Sequence, residues 1–381
     1  MIDAGTSDPA VFCNLGIIFK NSGRIKESLD CYEQALNFEP EDPKIYSNIG
    51  KLYRDISNLD QALQFTLKSL DLDPVSSTTQ MNLGSIYRDL GQTDNALIAT
   101  VKAIELDTGS IEALQNLKNL ASDLKISSSN RNYARIAYEK LLNCDDFSHR
   151  KLCHLFIQEY IEDIQKAAKL NPIISDQNYT FHKLASDWRF RKSLTLLIPP
   201  HQNIEEFLSR LRKEFLIQAI NNNIITKSLR PLLEALATQC FLNEYVYWQS
   251  EEEKKWKENL IEKARKSKAA FNQYLPVIGC YIPIHYIING EDELDKYPIT
   301  SDESRAFIDT QYKEVQAEKA TKILLRSSEK IFDTVSLAGQ KMYEENPYPR
   351  YQHADHTASH FAKPPIEFIS LETTIKNLPF T

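Results

Sequence analysis

Four asparagines recur at a constant interval in the first third of this 381-residue chain: Asn14, Asn48, Asn82 and Asn116. A side-chain amide carries two N–H donors and one carbonyl acceptor. A row of amides can therefore satisfy the N–H and C=O groups of an extended peptide backbone, whatever side chains that peptide bears. Charged residues keep the same register. Lys20, Arg54 and Arg88 follow the first three asparagines, Asp55 and Asp89 sit one position further on, and Lys51 stands three residues after Asn48. With both signs present, the set lacks the dense basic cluster that a dedicated carboxylate clamp needs. The alternative reading of the row is that these are surface amides that bind water.

The elements that must position these groups are helices. Each asparagine opens a recurring unit, Asn14-Leu15-Gly16, Asn48-Ile49-Gly50 and Asn82-Leu83-Gly84, with an aromatic behind it at Phe19, Tyr53 or Tyr87; Asn116-Leu117 arrives on schedule without the glycine. At about 100° per residue, Phe12, Leu15, Gly16 and Phe19 share one face and Asn14 and Asn21 lie opposite. The same geometry places Asn48 with Asp55, and Asn82 with Asp89, on a polar face. Small residues follow where a second helix must cross closely: Ser28, Ala62 and Ala96, then Ala35, Ser69 and Ala103. Gly23 and Gly91 fall between the two helices, and Pro40 and Pro74 close two of the units because proline cannot continue a helix.

The period and residue pattern resemble the tetratricopeptide repeat (TPR), a helical hairpin stacked into a solenoid. The asparagine row is similar to that of the O-linked N-acetylglucosamine transferase repeats. The resemblance implies that the first helix of each hairpin lines a concave surface, and that Asn14, Asn48, Asn82, Asn116, Lys51, Arg54, Asp55, Arg88 and Asp89 contact a bound polypeptide there. Leu120 and Leu124 belong to an expected capping helix that runs into a polar connector, Ser127 to Arg131. Met1 to Gly5 resembles the tail of a preceding second helix.

From Asn132 to about Ser336 the period is lost, but apolar residues keep helical spacing, as in Leu152, Leu155, Phe156, Tyr160 and Ile164. This stretch reads as a second all-helical domain. Glu251 to Lys268, dense in both charges, reads as a solvated helix face. Leu275 to Ile288 is broken by Pro276 and Pro283 and is too short for a membrane span, so it reads as core.

Several chemistries lack support. Net charge −7 and pI near 5.7 give no footprint for nucleic acid, and the one basic and aromatic cluster, Trp188 to Lys192, is five residues long. The six cysteines are scattered without Cys-x-x-Cys, as expected of reduced thiols in a cytoplasmic protein. His353, Asp355, His356 and His360 have metal-ligand types but no second cluster, so no metal is expected. Only Gly279, Gly290 and Gly339 lie beyond Gly109, and no Gly-x-Gly loop exists, so no nucleotide-type cofactor is expected.

Two further segments carry a wider resemblance: Leu236-Ala-Thr-Gln-Cys-Phe-Leu-Asn-Glu-Tyr-Val-Tyr247 and Lys341-Met-Tyr-Glu-Glu-Asn-Pro-Tyr-Pro-Arg-Tyr351. With the repeats, they are similar to bacterial, notably cyanobacterial, proteins that join repeats and a helical region to a C-terminal class I S-adenosylmethionine-dependent methyltransferase. In such proteins the second segment precedes the strand that carries the cofactor loop. No such strand follows here, so the resemblance implies the non-catalytic front part of a methyltransferase polypeptide and supplies no catalytic residue.

The expectation is an all-α protein: a repeat solenoid over residues 1–125, an irregular helical domain over 126–336, and an extended strap over 337–381. In the strap, Tyr343, Asn346, Pro347, Tyr348, Pro349 and Arg350 would dock between domains. The expected role is to recruit an extended peptide or protein for a methyltransferase in cis or in trans. The rivals are a free-standing adaptor and an enzyme using unrecognised residues of the helical domain.

Overall fold

The structure is a computed structural model that describes residues 8–223, 225–288, 294 and 297–326. Among these residues it contains helices and no strand, as the all-α expectation requires. The docking residues Tyr343 to Arg350 lie outside the described residues, as do the histidines from His353 to His360 and the segment Met1 to Gly5. Packing divides the chain into two compact units that meet after Cys144.

In the first unit the hairpins are α1 (Pro9–Asn21) with α2 (Ile25–Phe38), α3 (Pro43–Asp55) with α4 (Leu59–Leu72), and α5 (Ser77–Asp89) with α6 (Thr93–Leu106). Local chemistry explains where the first helices begin. Asp8, Asp42 and Ser76 each accept a backbone N–H at the N-terminus of α1, α3 and α5, and proline fills the first helical position of α1 and α3. The turns inside the hairpins need a left-handed residue, supplied by Gly23 (φ 73°) and Gly91 (φ 72°); the middle turn uses Ser57 (φ 62°) instead. At the crossing of α5 and α6, a Cβ on Gly84 would lie 2.5 Å from Thr100 Oγ1 and 3.3 Å from the Ala96 carbonyl, so only glycine permits that approach. A core of Phe12, Tyr32, Ala35, Ile45, Ile49 and Leu52 joins the first hairpin to the second.

The fourth unit departs from the single capping helix expected. Helix α7 (Ile111–Leu120) is followed by α8 (Arg131–Leu142), and α8 packs on both α6 and α7. The stretch between them is a tied turn rather than a free connector. Asn130 is buried; its Nδ2 donates to Asp94 Oδ1 (2.7 Å) and to the Lys125 carbonyl (2.8 Å), while its Oδ1 accepts the Ser127 N–H (2.9 Å). Satisfying a buried amide so fully ties residues 127–130 to α6, and the first unit continues to Cys144.

The second unit is built around α13 (Arg230–Leu242), buried on all sides from Leu232 onward. Around it stand α9 (Cys153–Ala167), α10 (Tyr179–Ser186), α11 (Trp188–Leu194), α12 (Gln202–Ile220), α14 (Glu251–Ala264), α15 (Lys268–Gly279), α16 (Asp302–Ile308) and α17 (Glu314–Arg326). The segment Leu236 to Leu242 is thus core. Leu275 to Ile288 is largely buried, as expected. Buried polar side chains stitch the helices together. Gln311 Nε2 donates to the carbonyls of Ala237 (2.7 Å) and Gly279 (3.1 Å). Glu234, wholly buried, accepts from Arg230 Nε (3.0 Å) and Tyr297 Oη (2.6 Å).

One expectation about this unit needs correction. Glu253 is not part of a solvated face: it is buried, accepts from Tyr281 Oη (3.1 Å), and lies 3.6 Å from the fully buried Arg212. The Trp188 to Lys192 cluster faces inward more than outward. Phe190 stacks on Phe156, Arg191 pairs with Glu303 (2.6 Å) and Arg189 with Asp187 (3.1 Å), so both arginines of the cluster are engaged within the fold.

Candidate functional site

The first helices of the repeats bring the predicted residues to one face, but they do so unequally. Asn82 is buried, and its Nδ2 donates to Ser47 Oγ on the preceding first helix (3.0 Å). Asn116 Nδ2 donates to Ser85 Oγ (2.8 Å), and its Oδ1 accepts from Arg88 Nη1 (3.3 Å). These two amides are spent on holding repeat to repeat. The expectation that Asn82, like Asn48, turns away from the core to a polar face is therefore corrected: its side chain is enclosed where α5 packs against α3.

Asn14 and Asn48 differ. Asn14 is exposed and Asn48 half-buried, and neither has a hydrogen-bond partner among the described residues. For Asn48 the cause is one residue in register. The position that holds Ser47 in the second repeat holds Cys13 in the first, and burial, with the carboxylates of Asp42 and Glu39, pushes the Cys13 thiol up to about 11. A protonated thiol is a poor substitute for a hydroxyl in accepting an amide N–H. Likewise, Ser85 is matched by Lys51 and Ile17, both exposed. Asn14 with Ile17, and Asn48 with Lys51, are three residues apart on their helices and so share a face.

The charges form a second ladder, one step out of phase. Lys20 Nζ pairs with Asp55 Oδ2 (2.9 Å), Arg54 Nε with Asp89 Oδ2 (2.7 Å), and Arg88 Nη2 with Asp89 Oδ1 (3.1 Å). Lys20 and Arg54 each reach the aspartate of the next repeat, whereas Arg88 turns to the adjacent Asp89 and forward to Asn116 on α7. Burial pushes the Asp89 carboxyl up, but its bonds to Arg54 and Arg88 outweigh this and hold it below the usual carboxylate range. Asp55 is thus engaged by Lys20, and Arg54 and Arg88 share Asp89, while Lys51 has no partner among the described residues.

What this face offers a ligand is narrower than the periodicity alone suggests: two open amides, one open ammonium group and the exposed Ile17, all on α1 and α3. The signal that separates open rungs from closed ones was present in the sequence as serine at 47 and 85 against cysteine at 13, isoleucine at 17 and lysine at 51. Among the described residues no group of three or more histidine, cysteine, aspartate or glutamate side chains is arranged to hold a metal, and no helix is long and apolar enough to cross a membrane.

Comparison with known proteins agrees with the period. A TPR-repeat family model matches residues 16–56, and a tetratricopeptide-repeat model matches residues 43–76 and 77–109. No curated protein matches the chain. Among solved structures, the first TPR of Spaghetti (RPAP3) bound to the HSP90 peptide SRMEEVD is 18% identical with a TM-score of 0.29, covering 30% of this chain and 94% of its own. Pseudomonas aeruginosa pilF is 12% identical with a TM-score of 0.32, covering 66% and 97%. Naa15/Naa10 bound to HypK-THB is 18% identical with a TM-score of 0.33, covering 82% and 42%.

Proposed function

We propose that this tetratricopeptide-repeat chain binds an extended polypeptide across α1 and α3, with the amides of Asn14 and Asn48 hydrogen-bonding the ligand's backbone. One observation carries the reading: of four asparagines in register, two are consumed by neighbouring repeats, and these two are left without partners. Lys51 favours an acidic side chain or a carboxylate beside the Asn48 contact, and Ile17 favours an apolar one beside Asn14. Arg54, Asp55, Arg88, Asp89, Asn82 and Asn116 hold the face in shape.

An array of twelve-residue peptides probed with the full chain tests this. Peptides that bind should lose affinity about 2- to 12-fold for Asn14→Ala and again for Asn48→Ala, since a net hydrogen bond is worth roughly 0.5–1.5 kcal/mol. Retention of full affinity by the double variant defeats the reading, as does an array on which nothing binds.

We further infer, from the resemblance carried by Leu236 to Tyr247 and Lys341 to Tyr351, that the captured polypeptide is presented to a class I methyltransferase in cis or in trans, in the bacterial cytoplasm. The free-standing adaptor is the competing reading. Because the chain has no glycine-rich loop, it should bind no S-adenosylmethionine itself; calorimetry showing a saturable micromolar isotherm would sink that expectation.

A further inference from the structure

The loop between α13 and α14 is costly to hold. Glu244 (φ 56°) and Tyr245 (φ 58°) are consecutive non-glycine residues in the left-handed region, a conformation that side-chain-bearing residues adopt only under strain. Beneath the loop lies the fully buried guanidinium of Arg212. Its Nη2 donates to the Trp248 carbonyl (2.8 Å) and its Nη1 to that of Tyr247 (3.5 Å), and it lies 4.4 Å from the centre of the Tyr281 ring. Glu253 supplies the countercharge (3.6 Å) and completes a capping box with Ser250 at the far end of the loop. Tyr245 Oη anchors the near end by donating to the Gly279 carbonyl (3.3 Å).

All of this holds outward two side chains that a free chain has no reason to expose. Tyr247 points in, whereas its neighbours Val246 and Trp248 are 73% and 76% exposed. A buried arginine is an expensive way to pin a loop, since apolar packing of equal volume would serve stability as well or better. It does, however, fix carbonyl positions closely and so fixes where the neighbouring side chains stand. The open charges around the pair are mainly acidic: Glu251 is taken up by Lys254 (2.6 Å), but Glu244 and Glu252 are exposed within four residues of Trp248, and the exposed Glu205 acts electrostatically on Tyr247.

We propose that Val246 and Trp248 form a rigid docking knob for a basic, apolar-bearing segment of a protein partner, with aliphatic side chains packing on the indole and lysine or arginine meeting the open carboxylates of Glu244 and Glu252. The charge decides the class of partner. Nucleic acid and anionic bilayers are repelled by Glu205, Glu244 and Glu252, whereas a guanidinium gains both the indole face and these carboxylates. The site lies in the second unit and does not depend on the repeat face.

The chain has three tryptophans, so W188F/W256F leaves Trp248 as the sole reporter. Titration with an eight-residue peptide of alternating leucine and arginine should shift its emission saturably, and an alternating leucine and glutamate peptide should leave it unchanged. By calorimetry on the full chain, Trp248→Ala should weaken the leucine and arginine peptide about tenfold or more, as removal of an anchoring aromatic does. Glu244→Gln with Glu252→Gln should weaken it about 2- to 5-fold, less at high salt. The proposal is overturned if the peptide binds Trp248→Ala as well as the parent, if neither peptide binds, or if anionic vesicles shift the emission as strongly as the basic peptide. A Val246→Ser variant, at an exposed position, repeats the test without touching the indole.

Discussion

Asn82 Nδ2 lies 3.0 Å from Ser47 Oγ, a buried bond between side chains that are 35 residues apart and belong to first helices of successive repeats. It makes one asparagine of the row structural while its counterpart Asn48 stays open. Asn82→Ala should therefore cost roughly 1–2 kcal/mol, through loss of the bond and stranding of the Ser47 hydroxyl, whereas Asn48→Ala should stay within about 0.5 kcal/mol of the parent. Urea unfolding with unchanged m-values would measure both, and equal effects would contradict the assignment.

Cys13 tests the same register from the other side. Cys13→Ser should give the Asn48 amide the acceptor that Ser47 gives Asn82, stabilising the first hairpin by about 0.5–1.5 kcal/mol. Any peptide that uses Asn48 should bind this variant less tightly. A peptide affinity that does not change while stability rises would show that Asn48 is not a ligand contact.

Ser57 carries a left-handed backbone where the other two hairpins use glycine. Ser57→Gly should raise the melting temperature, by relieving strain worth about 1 kcal/mol, and Gly91→Ala should lower it by a similar amount although nothing stands within 4 Å of the added methyl. Opposite signs at equivalent positions are the diagnostic outcome.

Burial pushes the Glu234 carboxyl above its ordinary range, and its bonds to Tyr297 and Arg230 only partly offset this. A carboxyl raised in the folded state binds its proton more tightly there than in the unfolded chain. Its contribution is complete below the unfolded value and is lost as pH rises through the folded value. Glu234→Gln should therefore gain stability relative to the parent as pH rises above the ordinary carboxylate value, by no more than roughly 1.4 kcal/mol per pH unit. Denaturation curves that run parallel with pH would rule this out.

The repeats were legible in the sequence because stacking imposes one constraint per position: Gly84 where a Cβ meets Thr100, Ala96 at the same crossing, Pro74 after the last turn of α4. The site was only half legible. A helical wheel separates core from surface but says nothing about which surface amide finds a neighbour in the next repeat; that depends on whether the facing residue is Ser47 or Cys13. The second unit hid more, because its cohesion comes from long-range pairs such as Arg191 with Glu303, separated by 112 residues. Glu253 looked like one more charge in a solvated run because nothing local marks the arrival of Arg212.

Mechanically, the ladder makes the repeat stack a spring of graded stiffness. The α3–α5 step is cross-linked by the Asn82–Ser47 bond and the Arg54–Asp89 pair, and the α5–α7 step by Asn116 with Ser85 and Arg88. Across the α1–α3 step the polar link is the half-exposed Lys20–Asp55 pair, which salt screens. Pulled from its N-terminal end, the stack should yield there first, at a force that falls with ionic strength. A peptide spanning Asn14 and Asn48 would supply the missing cross-link and harden the soft coil, so ligand binding would register as a rise in the force at which the first hairpin peels away.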